Sequence, residues 1–395
     1  MIHSIRTSFN KHFSTDAYTA MVQKIHSAFP HALDFRNAET PIFIPKEFTN
    51  KMMAACDEII HFIKDKDFKL LTEKSIPKKY YFPDEEAQPS MMVFDFGICE
   101  NERGEIVPQL VEMQGFPSLF AFQIMLDELT RATTNIPDHY NTYLNGYNKE
   151  RYVHLLQEII LEGHAAENVI LLEVYPEKQQ TRIDFECTEN LLGIKTVCIT
   201  KLIAENNKLY YLNNGNKTQI KRIYNRIIFE DLEKHSFTEP LIDFSKHYDI
   251  EWVCHPNWFY RISKFTLPFI QSPFIPDTYF LNEIKQALPL NEYVLKPLFS
   301  YAGMGVNMNV LQSDIDQIKD PENWILQKKV QYASVIETLD QPAKAEIRLF
   351  YFWKKNWQKP IAVHNLARLS KGDMIGTRYN QDKTWVGGTI AYFET

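Results

Sequence analysis

Glu292-Tyr-Val-Leu-Lys-Pro-Leu-Phe-Ser-Tyr-Ala-Gly-Met-Gly-Val-Asn-Met-Asn309 is the stretch on which the reading of this chain turns. It reads as strand, glycine loop, strand. Tyr293, Val294 and Leu295 are β-prone; Lys296 closes that run beside Pro297, and Ser300, Gly303 and Gly305 form a flexible loop before the next apolar residues. A lysine leaving a strand beside such a loop suits a polyphosphate. Glycine lets backbone N–H groups approach phosphate oxygens, while the ammonium acts as a point charge on one phosphate. The order of the parts argues against a Walker loop, in which the lysine follows the glycines and precedes Ser or Thr. By itself the stretch is equally well a β-hairpin with a permissive turn, so the rest of the chain has to decide.

Length and composition set the outer limits. At 395 residues the chain exceeds what one core usually supports, so two or three domains or one composite domain are expected. Hydrophobic residues at 45% and charged residues at 24% describe an ordinary globular protein, and a formal charge of -7 gives no basic footprint for nucleic acid. The five cysteines, Cys56, Cys99, Cys187, Cys198 and Cys254, are scattered without CxxC pairs, so neither a zinc site nor a disulfide framework is indicated. No signal-peptide core stands at the start and no run approaches transmembrane length, so no membrane partner and a cytoplasmic location are expected.

Taken in order, residues 1–75 read as helical at Ala17 to Ala28 and Phe48 to Leu71, around a strand-like Pro41-Ile-Phe-Ile-Pro45. Ile76 to Pro89 reads as a surface connection. Met91 to Leu119 then gives two strands around the polar turn Glu100-Asn-Glu-Arg-Gly104. Asp95 lies within the first strand, and Glu112 and Gln114 stand two apart on one face of the second. Carboxylates and an amide oxygen so placed can hold magnesium and bridge it to phosphate. The flanking residues are strongly apolar, and a buried carboxylate costs several kcal/mol on rough estimates, so a compensating cation is expected.

Asp95-Phe96, then Val111-Glu112-Met113-Gln114 and Phe116-Pro117-Ser118, resemble the metal-binding segment of circularly permuted ATP-grasp ligases, similar to glutathionylspermidine synthase. In ordinary ATP-grasp enzymes this segment follows the phosphate loop, whereas here it precedes Lys296, as the permuted group has it. The chain departs from the pattern at Gln114, where Asn is usual, and at Val93, where an Arg precedes the Asp.

Further along, helices are expected at Phe120 to Leu129 and within Tyr140 to Gly163. Asn168 to Val174, a helix to Leu192 and Gly193 to Ile199 form a strand, helix, strand unit of an open α/β layer. This resembles the pre-ATP-grasp region. Ile220 to Ile228 is similar to the family's Tyr-Arg-Arg strand, which implies an anionic substrate at Arg226. Asn257 to Lys264 resembles the segment with the first nucleotide lysine, implying Lys264 as a second phosphate contact. Asn323 to Val330 resembles the hinge strand, with Gln327, Lys328 and Lys329 in the register whose backbone reads adenine. Ala345 to Trp353 and Pro360 to Arg368 read as paired strands carrying Arg348 and Arg368; Arg368 matches the arginine near the transferring phosphoryl group, and Asn380 and Gly387-Gly388 match the fold's ending. His364, between apolar neighbours, reads as structural.

The resemblance thus implies an α/β (α+β) protein divided into an N-terminal helical segment (1–90), a metal-binding part of the ATP-grasp domain (91–165), a pre-ATP-grasp domain (166–256) and a nucleotide-binding part (257–395). It implies ATP and Mg2+ as cofactors and a carboxylate and an amine, small molecules or peptides, as substrates. Lys264 and Lys296 would meet ATP, Asp95, Glu112 and Gln114 the metal, and Arg348 or Arg368 the transferred group. The alternative is a nucleotide-binding module without turnover. The identity of the substrates and the oligomeric state are not legible in the sequence.

Overall fold

The centre of the molecule is built from the alternation along Met91–Glu100. This strand runs antiparallel between Ile106–Gln114 on one side and Lys344–Phe352 on the other, and Ile361–Ser370 and Gly387–Thr389 complete a five-stranded sheet. The computed structural model describes residues 2–300, 303–372, 375, 380 and 382–395. Met92, Phe94, Phe96 and Ile98 point to one face and join Phe48, Met52, Cys56 and Ile59 of the helix Lys46–Ile63 in one buried cluster. The opposite face is divided. At one end Val93, Phe350 and Leu366 pack with Phe120 and Tyr152; at the other stand Asp95, Arg348, Glu346 and Arg368.

A bulge makes this division work. Asp95 lies opposite Glu112, but Phe96 lies opposite Leu110, so Val111 is left unpaired. The extra residue keeps Leu110 on the apolar face with Phe96 while Glu112 and Gln114 stay on the face of Asp95.

Three other sheets frame the site. Glu251–Val253, Arg222–Asn225, Val169–Glu173 and Lys195–Cys198 form an all-parallel sheet in that order, with the helix Arg182–Leu192 as crossover, as the apolar runs predict. Tyr293–Pro297 and Thr278–Phe280 flank Trp324–Lys328 in an antiparallel sheet. Near the start, Ile42–Ile44 pairs in parallel with Ala391–Glu394, so the N-terminal segment shares a sheet with the last strand. The fold is mixed α/β, and among the described residues no helix is long and apolar enough to cross a membrane.

Three expectations change in detail. The second strand after the glycine loop is reduced to one bridge, Leu295 with Asn307. In Tyr140 to Gly163 only Lys149–Leu161 is helical, starting where the Asn148 side chain accepts from Arg151 N–H, while Tyr140–Asn141 pairs with the last strand. The supposed surface connection is anchored: Tyr80 and Phe82 are buried, and Glu85 accepts from Asn257 and Arg261 and pairs with Lys69. Proline and charge density marked an irregular segment, but its aromatic residues still had apolar surface to bury.

Candidate functional site

Register across the central sheet assembles the first half of the site. Asp95 lies opposite Glu112 on one side and Arg348 on the other, and one rung along, Glu346 lies between Gly97 and Arg368. Because cross-strand neighbours share a face, four strands deliver these side chains to one patch. Arg348 grips Asp95 with both arms of its fork, Nε to Oδ1 at 2.6 Å and Nη2 to Oδ2 at 2.6 Å. Arg368 donates through Nη2 to Asp95 Oδ2 at 2.8 Å and pairs through the same nitrogen with Glu346 Oε2 at 2.9 Å. The two arginines are not equivalent: the Arg348 side chain is 8% exposed, whereas Arg368 is 29% exposed.

The second half comes from outside the sheet. Gly115, directly after Gln114, donates its N–H to Ile262 O at 2.9 Å, and a Cβ there would fall 2.4 Å from Trp258 O. Only glycine lets the short helix Asn257–Arg261 approach the strand end so closely, and this contact delivers Lys264. Lys264 is 5% exposed, so it is no helix-surface charge; its Nζ meets Glu112 Oε1 at 3.2 Å and donates to Ser300 O at 2.8 Å. Ser300 therefore joins the site through its carbonyl. Lys296, on the antiparallel sheet, donates to the Gln327 amide oxygen at 2.5 Å. Among the described residues no carboxylate lies within ion-pair distance of Lys296. Gly303 and Gly305 have φ of +70° and +71°, the conformation the glycine loop requires.

The electrostatics follow from this packing. Burial and the neighbouring Lys264 push the Lys296 ammonium down to about 8, despite the pull of Glu112 and Glu346. Burial would raise the Glu112 carboxyl, but Lys264, Arg348 and Lys296 together hold it below its ordinary value. Glu346 is raised, because burial and the charges of Asp95 and Glu112 outweigh Arg368 and Tyr332. Burial would lower Arg368, but Glu346, Asp95 and Glu112 hold its charge more firmly than usual.

The magnesium expectation meets a different arrangement. Asp95 has both oxygens on guanidinium N–H groups and Glu112 is paired with Lys264, so the compensating cations are the protein's own. Among the described residues no group of three or more His, Cys, Asp or Glu side chains could hold a metal. As arranged, the set Asp95, Glu112 and Gln114 does not fit a divalent cation. Val93, where the resemblance would place an Arg, lies opposite Phe350, whose ring stacks on Phe120 at 4.2 Å. That position is core.

Two other predicted groups have internal partners. Arg226 is 5% exposed and donates to Asp184 Oδ2 at 2.8 Å, while Asp184 Oδ1 accepts from the N–H groups of Ala121 and Phe122 where the helix Phe122–Thr133 begins. The pair ties the parallel sheet to that helix. At the end of the strand Trp324–Lys328, Lys328 N–H donates to Asp277 O at 2.8 Å and Lys329 N–H, just past it, to Glu292 O at 2.7 Å. These two donors are therefore committed to the fold, and Gln327 acts at the site through its side chain. His364 is buried beside Thr142 and Tyr143, and burial pushes its imidazole down to about 3.

Glu346, Tyr332, Gly97 and Gly115 escaped the sequence reading. Glu346 carried a usable signal, since it stands two residues from Arg348 and must share its face. Tyr332 and the glycines matter through contacts between distant segments. No family model matches the chain and no curated protein matches it. Among solved structures, the apo form of a glutathione synthetase-like effector from Globodera pallida aligns over 95% of this chain and 97% of that one, with a TM-score of 0.55 at 11% identity. The chain is similar in fold to that effector over nearly its whole length.

Proposed function

We propose that the chain is an ATP-dependent carboxylate-amine ligase on a circularly permuted ATP-grasp fold. The observation that carries this is Lys296: a half-buried ammonium, pushed down to about 8 by desolvation and by Lys264, with a neutral amide as its hydrogen-bond partner. A poorly solvated cation so placed is stabilised by an arriving anion. Lys264 and Lys296 come from separate elements and both act on Glu112, which suits successive phosphates of one nucleotide. The permuted order is supported by segments far apart in sequence, Asp95 to Gln114 and Lys264 to Lys296, meeting at Glu112.

ATP, when bound, supplies the phosphoryl group that turns a carboxylate into an acylphosphate open to attack by an amine, releasing ADP and phosphate. The chain's own residues position and neutralise. Lys264 and Lys296 hold phosphates, Arg348 locks Asp95, and Arg368, the more exposed of the two arginines, faces the terminal phosphate and stabilises the charge that grows on it in transfer. The substrates are a small-molecule or peptide carboxylate and an amine. The test is ADP release with panels of carboxylates and amines: Arg368→Ala should lower it about 100-fold or more with ADP binding retained, and a wild-type chain that releases no ADP with any pair refutes turnover.

A second reading, nucleotide binding without turnover, is favoured by the grip of Arg348 and Arg368 on Asp95, the residue that the resemblance gives to a metal. Binding without ADP release would select it.

A further inference from the structure

Beyond the end of Lys344–Phe352, the strand Met91–Glu100 takes a new neighbour. Glu100 N–H donates to Gln331 O at 2.8 Å and Ala333 N–H to Ile98 O at 2.9 Å, so the chain leaving the hinge strand is joined to the central sheet at Tyr332. The Tyr332 ring lies over Gly97, where an added Cβ would come within 2.8 Å of a ring carbon. From that seat its hydroxyl donates to Glu346 Oε1, while Glu346 Oε2 faces Arg368 Nη2 at 2.9 Å. The carboxylate is divided between the two, so Tyr332 fixes the rotamer that presents the second oxygen to the arginine. Burial and the charge of Glu346 hold the phenol well above its ordinary value, so it stays a donor. Both carboxylate contacts of Arg368 fall on Nη2. The guanidinium is thus gripped at one corner, and the side chain is 29% exposed. The same short segment carries Gln327, the partner of Lys296.

We infer that Tyr332, seated over Gly97, is a positioning residue that sets Arg368 through Glu346 for the terminal phosphate of a bound nucleotide. The inference rests on the nucleotide-dependent reading above and names residues that reading does not use. Lys296 and Arg368 are then placed by one stretch of six residues, Gln327 to Tyr332, which links the two sheets that would face the nucleotide.

The test is calorimetric titration of ADP and of a non-hydrolysable ATP analogue into the wild type, Tyr332→Phe and Gly97→Ala. A positioned Arg368 favours the triphosphate, so both variants should bind the analogue about tenfold more weakly and ADP as the wild type does. Unchanged analogue affinity, or equal weakening toward ADP and analogue, overturns the inference, because a merely structural role does not separate the two ligands. Tyr332→Phe, which removes one oxygen, decides alone if Gly97→Ala does not fold. A wild type that binds neither nucleotide overturns the functional reading and this inference with it, an outcome distinct from an insensitive variant.

Discussion

Replacing Lys296 by methionine should move stability and binding in opposite directions. The fall of its ammonium from 10.5 to about 8 means that carrying this half-buried, partly desolvated charge costs the fold about 3 kcal/mol at neutral pH. Lys296→Met keeps the length and apolar stem of the side chain and removes that cost. Against it stands the Gln327 amide oxygen, which loses its donor, a penalty of about 1–3 kcal/mol. The net expectation is a stability unchanged or higher by up to about 2 kcal/mol in urea unfolding. Nucleotide affinity should fall by about 2–3 kcal/mol, roughly 30- to 150-fold, because a charge-assisted phosphate contact is lost. Such a trade of stability for binding marks a functional charge. A variant less stable by about 2 kcal/mol or more with undiminished affinity would refute the reasoning and make Lys296 a structural residue.

The same ammonium sets the pH dependence. Lys296 keeps its proton below about 8 and sheds it above, so nucleotide affinity should hold at neutral pH and fall as pH rises through about 8. A phosphate beside it raises its proton affinity, so binding near that pH should take up a proton, detectable as buffer-dependent heat. Gly115→Ala places a Cβ against the Trp258 carbonyl; moving the Asn257–Arg261 helix should cost about 1–3 kcal/mol of stability and draw Lys264 from Glu112, which calorimetry would read as weaker nucleotide binding. Magnesium alone should give no saturable binding heat, since Asp95 is already held by Arg348 and Arg368.

The parallel sheet and the central strands were legible because their residues are chosen by burial: continuous apolar runs for Val169–Glu173, alternation for Met91–Glu100. Lys264, Lys296 and Glu112 were legible as candidates through the order of degenerate motifs, and the structure brings them together. What the sequence hid is pairing. Nothing in the neighbourhood of Asp95 announces that its compensating cations are arginines more than two hundred and fifty residues away, so a metal was the natural expectation. Arg226 shows the converse, a basic residue just past a strand whose partner, Asp184, lies on a crossover helix and turns it to structural use. Gly97 and Gly115 are ordinary glycines in the sequence; their meaning lies in what approaches them, Tyr332 and Trp258.

The central claim is that Lys264 and Lys296 receive the phosphates of a nucleotide. Calorimetric titration of the chain with a non-hydrolysable ATP analogue, repeated with Lys296→Met, tests it most directly. The wild type should bind it saturably and the variant at least about 30-fold more weakly; absence of binding by the wild type, or equal binding by both, would contradict phosphate recognition by these lysines.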